Sequence, residues 1–172
     1  MHSLHIRPAH DGDRAALSDI HRAAFGQPLE AQLVAALASG GYNRISLVAE
    51  GQGQIVGHVL LTELRLDAPS LPANSPALGA LALAPLAVLP SHQRQGVGSA
   101  LVRAALDEAR EQGWRLVFVL GDPEYYGRFG FTAERAAPFQ CVYACEAFMA
   151  IALHDDAARS GTLEYAPPFA AL

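Results

Sequence analysis

Two glycines at the start of a helix-like repeat are the residues of this chain best suited to chemistry. An apolar run over residues 86–89 meets Pro90, and a polar loop carrying Gly96 and Gly98 then leads directly into the helical pattern. Glycine leaves the backbone uncovered, so a ligand can approach consecutive N–H groups. Those groups lie at the positive end of the following helix, which favours anions. The loop is therefore predicted to bind a phosphorylated ligand.

Two common phosphate-binding loops do not fit this segment. A nucleoside-triphosphate P-loop needs Gly-Lys followed by Ser or Thr, and the chain contains no lysine. The dinucleotide fingerprint needs a third glycine three residues after the second, where this chain has Leu101, and an acidic residue about 20 positions further on. Neither nucleotide class is predicted.

A second motif lies downstream of the glycine loop. Residues 120–131 read Leu-Gly-Asp-Pro-Glu-Tyr-Tyr-Gly-Arg-Phe-Gly-Phe, and residues 93–98 read Gln-Arg-Gln-Gly-Val-Gly after a strand-like Leu-Ala-Val. The two segments resemble the Tyr-x-x-x-Gly-Phe motif and the acetyl-coenzyme A loop of the GNAT superfamily of N-acetyltransferases. They occur in the family's order, with Tyr126 28 residues after Gly98. The segment 146–153 also resembles the late strand of a small bacterial subgroup of predicted acetyltransferases.

The resemblance covers roughly residues 3–153 and implies a set of contacts to acetyl-coenzyme A, the expected acyl donor. The N–H group of Leu86 would polarise the thioester carbonyl, and backbone groups of Ala87 and Val88 would bind the pantetheine arm. The N–H groups from Gln95 to Ser99 would face the pyrophosphate. This range includes Gly96, Val97 and Gly98, and the remaining expected contacts are Gln93 and Arg94. For Arg94, a phosphate contact and a solvated side chain both remain open.

Tyr126 is the predicted general acid. After an amine attacks the thioester the sulfur must leave, and a phenol with a pKa of about 10 can protonate the thiolate. The alternative is an aromatic ring packed under the short helix, a role that suits Tyr125 and Phe129 better. No residue is identified as the base that takes the amine proton. The remote candidates are Glu63, His58, Glu50 and Asp122.

Cysteine catalysis and a metal centre are both disfavoured. Cysteine is usually a small buried hydrophobe, and no oxyanion loop adjoins Cys141, Cys145 or their possible partner His154. If one strand carries both cysteines, about 13 Å separates them, too far for a disulfide. The histidines near the N-terminus match no recognised metal spacing; they are His2, His5 and His10.

The apolar periodicity predicts alternating helices and strands. Helices are expected at 11–24, after Pro28, at 97–112 and at 123–129, and strands at 4–7, 45–50, 54–65, 78–89, 116–120 and 139–153. The prolines of 67–76 indicate a loop. Pro85 cannot donate to a sheet ladder. Pro85 therefore favours a bulge. In the resembled family, such a bulge splays the central strand and opens a slot for pantetheine between strands four and five. An early end of the strand is the alternative.

Length and composition set further limits. A chain of 172 residues with 51% apolar side chains suits one globular domain. A net charge of −5 disfavours a nucleic-acid surface. No apolar run reaches the roughly 20 residues that a membrane span needs, and the N-terminus lacks a signal core. We expect a cytoplasmic protein.

The predicted protein is an α/β GNAT (acyl-CoA N-acyltransferase) fold with a mixed, mostly antiparallel sheet flanked by helices. Residues 1–154 form the single domain, and the tail at 155–172 packs on it. The expected reaction moves acetyl from acetyl-coenzyme A to a primary amine of a small molecule or peptide by direct attack, in a monomer or homodimer. Residues 25–42 and 66–76 are expected to build the acceptor pocket. Alternatives are a non-catalytic coenzyme A-binding or regulatory module and a longer acyl donor.

Overall fold

The computed structural model describes residues 3–172; Met1 and His2 lie outside that part. The helices are α1 (Arg14–Phe25), α2 (Leu29–Ser39), α3 (Val97–Glu111), α4 (Pro123–Gly127) and α5 (Ala133–Ala136). The strands are β1 (Leu4–Pro8), β2 (Asn43–Gly51), β3 (Gln54–Asp67), β4 (Ala80–Val88), β5 (Leu116–Leu120), β6 (Phe139–Gln140), β7 (Phe148–Ala152) and β8 (Gly161–Glu164). The pairings that follow make the sheet mixed and mostly antiparallel, which confirms the predicted fold class.

The packing divides the chain into two compact units. The first holds the described residues up to Leu61 together with Pro85–Ala105 and Pro167–Leu172, and the second holds Thr62–Ala84 and Leu106–Ala166. Strands β3 and β4 and helix α3 each contribute residues to both units. The single domain expected for residues 1–154 stays a prediction.

In the first unit, β1 lies antiparallel beside β2, with Leu4 opposite Gly51. The turn from β2 to β3 has left-handed backbone at Gln52 (φ 53°) and Gly53 (φ 79°). Consecutive left-handed residues are the geometry of the tight hairpin turn, because its twist matches that of the strands. The hairpin predicted from Gly-Gln-Gly is present.

Helices α1 and α2 pack against each other in this unit. The residues of α1 at helical spacing, among them Leu17 and Ile20, are buried, and the helix ends at the left-handed Gly26 (φ 69°). The predicted helix over 11–24 is split in the structure, since Asp11–Asp13 forms a 3-10 turn before α1 begins. A 3-10 segment at Pro167–Ala171 packs on α2 and buries Phe169.

The second unit has its core on β5. The ring of the fully buried Phe118 meets Phe139 edge-on at 4.9 Å between centroids and stacks on Phe148 at 5.5 Å. Strand β7 runs antiparallel beside β5 over all five residues. Burial of one such aromatic side chain stabilises a fold by roughly 1.5–3 kcal/mol, so this cluster fixes the position of β5.

The parallel ladder between β4 and β5 is short. It joins Ala80–Ala82 to Leu116–Phe118 and ends there, although both strands continue within the same unit, β4 to Ala84 and β5 to Leu120. Pro85, buried in the interior of β4, has no N–H group to extend a ladder. The bulge expected at Pro85 stays a prediction. The alternative, an early end of the strand, is wrong, because β4 continues past Pro85 to Val88.

The C-terminal third departs from the predicted elements. The strand expected at 139–153 is broken into β6 and β7, and the intervening loop carries Cys141 and Cys145, both free thiols. The premise that one strand holds the two cysteines was therefore wrong. The tail, for which no element was predicted, supplies β8, which pairs with both β3 and β6. Within residues 3–172, no helix has the length and apolarity needed to cross a membrane.

Candidate active site

The end of β4 leads into the glycine loop through a tight backbone reversal in the first unit. A 3-10 turn at Pro90–His92 precedes left-handed residues at Arg94 (φ 60°) and Gly96 (φ 85°), and α3 begins at Val97. The first intrahelical bond runs from the N–H of Ala100 to the Gly96 carbonyl, at 3.0 Å. The N–H groups of Val97 and Gly98 precede that donor, so they have no acceptor within the helix. Unpaired N–H groups at the positive end of a helix are suited to binding an anion.

Two glutamine side chains hold the loop in shape. The Gln93 amide donates to the carbonyl of Val88 at 3.0 Å, and the Gln95 amide donates to the carbonyl of Ser91 at 3.1 Å. The first bond ties the loop to the end of β4, and the second ties it to the 3-10 turn that follows the strand. Both glutamines were predicted as cofactor contacts, and here their amides satisfy the protein's own backbone. The Arg94 side chain is exposed.

Gly57 of β3 is a loop-positioning residue that the sequence analysis missed. A Cβ atom at this position would lie 2.9 Å from Leu101 Cδ1, 3.1 Å from Val97 Cγ1 and 3.3 Å from the carbonyl oxygen of Ala87. Only the absence of a side chain lets the first turns of α3 and the end of β4 approach β3 this closely. A glycine within a strand pattern is the sequence feature that could have indicated it.

Tyr126 lies in the second unit, in the short helix α4 that follows β5. Its ring packs edge-on against Phe131 at 5.8 Å and against Tyr125 at 5.0 Å. Burial, aided by the nearby Tyr125, raises the pKa of the Tyr126 phenol above its usual range. The hydroxyl therefore stays protonated at neutral pH.

The glycine before α4 fixes the Tyr126 ring. A Cβ atom on Gly121 would stand 2.6 Å from Cε2 and 3.0 Å from Cδ2 of that ring. Helix α4 itself is capped by Asp122, whose carboxylate accepts the Glu124 N–H at 2.9 Å. The downstream motif thus supplies the helix cap Asp122, and the Tyr126 ring occupies the space that a side chain at residue 121 would fill.

The sequence of residues 5–133 matches the family model described as an acetyltransferase (GNAT) domain. This match spans well over half of the chain. The protein belongs to the GNAT acetyltransferase family.

Relatives of this GNAT protein share most of their length with it. Escherichia coli K12 YjhQ, named an uncharacterized N-acetyltransferase, is 39% identical over 75% of this chain and 71% of its own. A crystal structure of E. coli YhbS in complex with CoA has a TM-score of 0.87 and 31% identity, covering 99% of this chain and 93% of that one. A Brucella melitensis GNAT acetyltransferase in complex with acetyl-CoA has a TM-score of 0.79 and 30% identity, covering 98% and 99%.

The candidate bases of this acetyltransferase are engaged in different ways. Glu50 accepts from the Arg7 guanidinium at 2.7 Å, and Arg7 also bonds Asp13, whose pKa this contact lowers to about 2. Asp122 caps α4. Glu63 is an exposed residue of β3. The carboxylates of Glu50 and Asp122 are thus already engaged in contacts within the protein.

His58 is the member of a buried polar chain that the sequence analysis did not foresee. Its Nδ1 lies 2.8 Å from His21 Nε2, and its Nε2 lies 2.8 Å from the Ser46 hydroxyl. The outer nitrogen of His21, Nδ1, is buried without a partner. Burying an unpaired lone pair at this nitrogen costs less free energy than burying an unpaired N–H group. The His21 proton is therefore on Nε2, which donates to His58 Nδ1. The His58 proton is then on Nε2, which donates to the Ser46 hydroxyl.

The buried hydrogen-bonded series of His21, His58 and Ser46 explains why the His58 imidazole is a poor base. Burial lowers the pKa of His21 to about 4 and that of His58 to about 3, with His21 adding to the effect on His58. Both rings have no exposed surface and are neutral in the folded protein at pH 7. The three hydrogen-bonded side chains link α1, β2 and β3 structurally.

The buried histidines predict a specific pH dependence of stability. Unfolded histidine takes up a proton near pH 6.5, whereas folded His21 resists protonation until about pH 4. The two histidines therefore leave the free energy of unfolding unchanged above pH 6.5. As the pH falls from 6.5 towards 4, each ring lowers the free energy of unfolding by about 1.4 kcal/mol per pH unit. We expect chemical denaturation at several pH values to show this slope, and His21→Gln to remove about half of it. An unchanged slope in His21→Gln would contradict the assignment.

Proposed function

We propose that this GNAT protein transfers an acetyl group from acetyl-CoA to a primary amine by direct attack, without an acyl-enzyme. The observation that carries the proposal is the start of α3, where backbone N–H groups without helical acceptors follow the left-handed Gly96. The pyrophosphate of the donor would lie on the N–H groups of residues 95–99. That YhbS and the B. melitensis enzyme were crystallised with CoA and acetyl-CoA supports the same donor here.

The loop passes a geometric test for such a donor. A Cβ atom built on Gly96 meets nothing within 4 Å, so the space beside it is open to a ligand. The edge of β4 beyond Ala82 no longer pairs with β5. We propose that backbone groups of Leu86, Ala87 and Val88 on this strand orient the pantetheine arm and the thioester.

Acetyl-CoA supplies the acetyl group as a thioester, and the residues of this chain handle position and protons. The Leu86 N–H would polarise the carbonyl that the amine attacks. The Tyr126 hydroxyl would donate its proton to the departing sulfur. The attacking amine would release one proton to solvent, and the phenol would take one up again. The phenol is protonated throughout the neutral range, as a general acid must be, and burial makes it a weaker acid than a free phenol.

We propose that the amine acceptor binds in one of two cavities. Each cavity is lined in part by one of the segments predicted to build the acceptor pocket, 25–42 and 66–76. One, of about 400 Å³, is in the first unit between α1 and α2, with Leu17, Val34 and Ser46 in its wall. The other, of about 710 Å³, is in the second unit beside the 65–78 segment, with Leu71 and Leu78 in its wall. Each wall combines apolar with polar and charged side chains, which suits an amine with an aliphatic body and a polar group.

Donor binding is tested with two matched glycines. Gly96 and Gly26 both have positive φ, and a Cβ on either meets nothing within 4 Å. Alanine at each should therefore cost a similar 1–2 kcal/mol of backbone strain. Coenzyme A at 100 times its Kd should stabilise the unchanged protein by about 2.7 kcal/mol. We expect thermal denaturation to show this gain in Gly26→Ala and a much smaller one in Gly96→Ala; equal gains would contradict the loop as the binding site.

Catalysis is tested with two neighbouring tyrosines. Tyr126→Phe removes one oxygen and keeps the packed ring, so general-acid assistance of about 10²–10⁴-fold should be lost from kcat. Tyr125→Phe, whose ring carries the Arg128 guanidinium at 4.7 Å, is the control and should retain kcat. The measurement is release of free thiol from acetyl-CoA with a panel of primary amines, with coenzyme A affinity checked by calorimetry.

The same assay decides between the enzyme and the non-catalytic module. Turnover with at least one amine, and its loss in Tyr126→Phe alone, supports the proposed reaction. Coenzyme A binding without thiol release for any amine would favour the module. Normal kcat in Tyr126→Phe, with chemistry rate-limiting, would make Tyr126 a packing residue.

A further inference from the structure

A small polar cavity in the second unit lies at the end of β5 opposite to the one that Tyr126 follows. The Leu153 N–H donates to the Arg115 carbonyl at 2.8 Å, which places the segment after β7 beside the start of β5. Tyr126 follows the opposite end of β5. The cavity has a volume of about 140 Å³ and is lined by Arg135, Ala152, Leu153, His154, Asp155 and Arg159.

Positive charge dominates this cavity. Two guanidinium groups, Arg135 and Arg159, share its wall with a single carboxylate, Asp155. Burial and the neighbouring charge of Arg159 lower the pKa of Arg135, so the two cations are near enough to repel each other. One Arg135 nitrogen donates to the Ala158 carbonyl at 2.7 Å, which holds the half-buried guanidinium in place.

The nearby carboxylates do not neutralise the two arginines. Asp156 is taken by Arg115, which bonds both of its oxygens at 2.7 and 3.2 Å. Across residues 3–172, no ion pair joins Arg135 or Arg159 to a carboxylate. The His154 ring is oriented by its bond to the Arg110 carbonyl at 3.3 Å. Two like charges in the wall of a polar cavity are stabilised by a bound anion.

We infer that this cavity binds a phosphate group, held between the guanidinium groups of Arg135 and Arg159. Guanidinium pairs bind tetrahedral oxyanions through parallel N–H donors, and the cavity has room for one such group. Asp155 at the rim opposes binding and keeps the affinity moderate. The inference is independent of the proposed acetyl transfer, because none of these residues belongs to the predicted donor or acid set.

The test is calorimetric titration with inorganic phosphate and with glycerol phosphate, against sodium chloride at equal ionic strength. We expect both phosphates to bind and chloride not to. Arg159→Gln should weaken phosphate about tenfold, the loss of one charged hydrogen bond, whereas Asp155→Asn should tighten it. Arg14→Gln, an exposed arginine of the first unit, is the control and should leave the affinity unchanged. Binding of inorganic phosphate alone would identify the free ion as the ligand, and equal binding of the ester would extend the site to phosphorylated small molecules.

A second measurement separates this cavity from the glycine loop, which also attracts anions. Without phosphate, Arg159→Gln should unfold at the same or a higher temperature, because the repulsion with Arg135 is relieved. Phosphate near the Kd of the unchanged protein should raise the melting temperature of Gly96→Ala, and raise that of Arg159→Gln much less. The opposite pattern would place the anion on the loop, and undetectable phosphate binding in the unchanged protein would likewise overturn the inference.

Discussion

The candidate active site depends on where the ladder between β4 and β5 ends. Three residue pairs hold the strands together, and the pairing stops at Ala82 although neither strand does. Pro85 cannot supply a ladder N–H, so the backbone of the second half of β4 is available for other partners. That strand then leads, through a loop braced by Gln93 and Gln95, into α3. An extended pairing would consume the backbone groups that the proposed donor needs.

Glycines place both parts of the proposed machinery by leaving space for a neighbour. At Gly57 the space admits α3 and the end of β4, and at Gly121 it admits the Tyr126 ring. At Gly96 the space stays open, as a ligand site requires. These positions show three uses of a missing side chain: close packing of elements, seating of a side chain, and access to a backbone anion site.

Local patterns were enough to predict much of this structure. The hairpin at Gly51–Gly53, the start of α3 and the α4 motif each depend on residues a few positions apart, and all were predicted from sequence. The His21–His58–Ser46 chain was missed, because its members are 37 and 12 residues apart and only the fold brings them together. The loop that holds Cys141 and the strand β8 were missed for the same reason: their partners are distant in sequence.

Hydrogen exchange at the start of α3 reports whether coenzyme A binds at these backbone amides. The amides of Val97 and Gly98 have no acceptor within the helix, so they should exchange quickly in the free protein. Saturating coenzyme A should slow exchange at Gly96, Val97 and Gly98 more than at the start of α1, which serves as the internal reference. We expect slowed exchange at these three amides, which would support the glycine loop as the donor site. Coenzyme A that leaves them unprotected, or that protects another part of the chain instead, would contradict it.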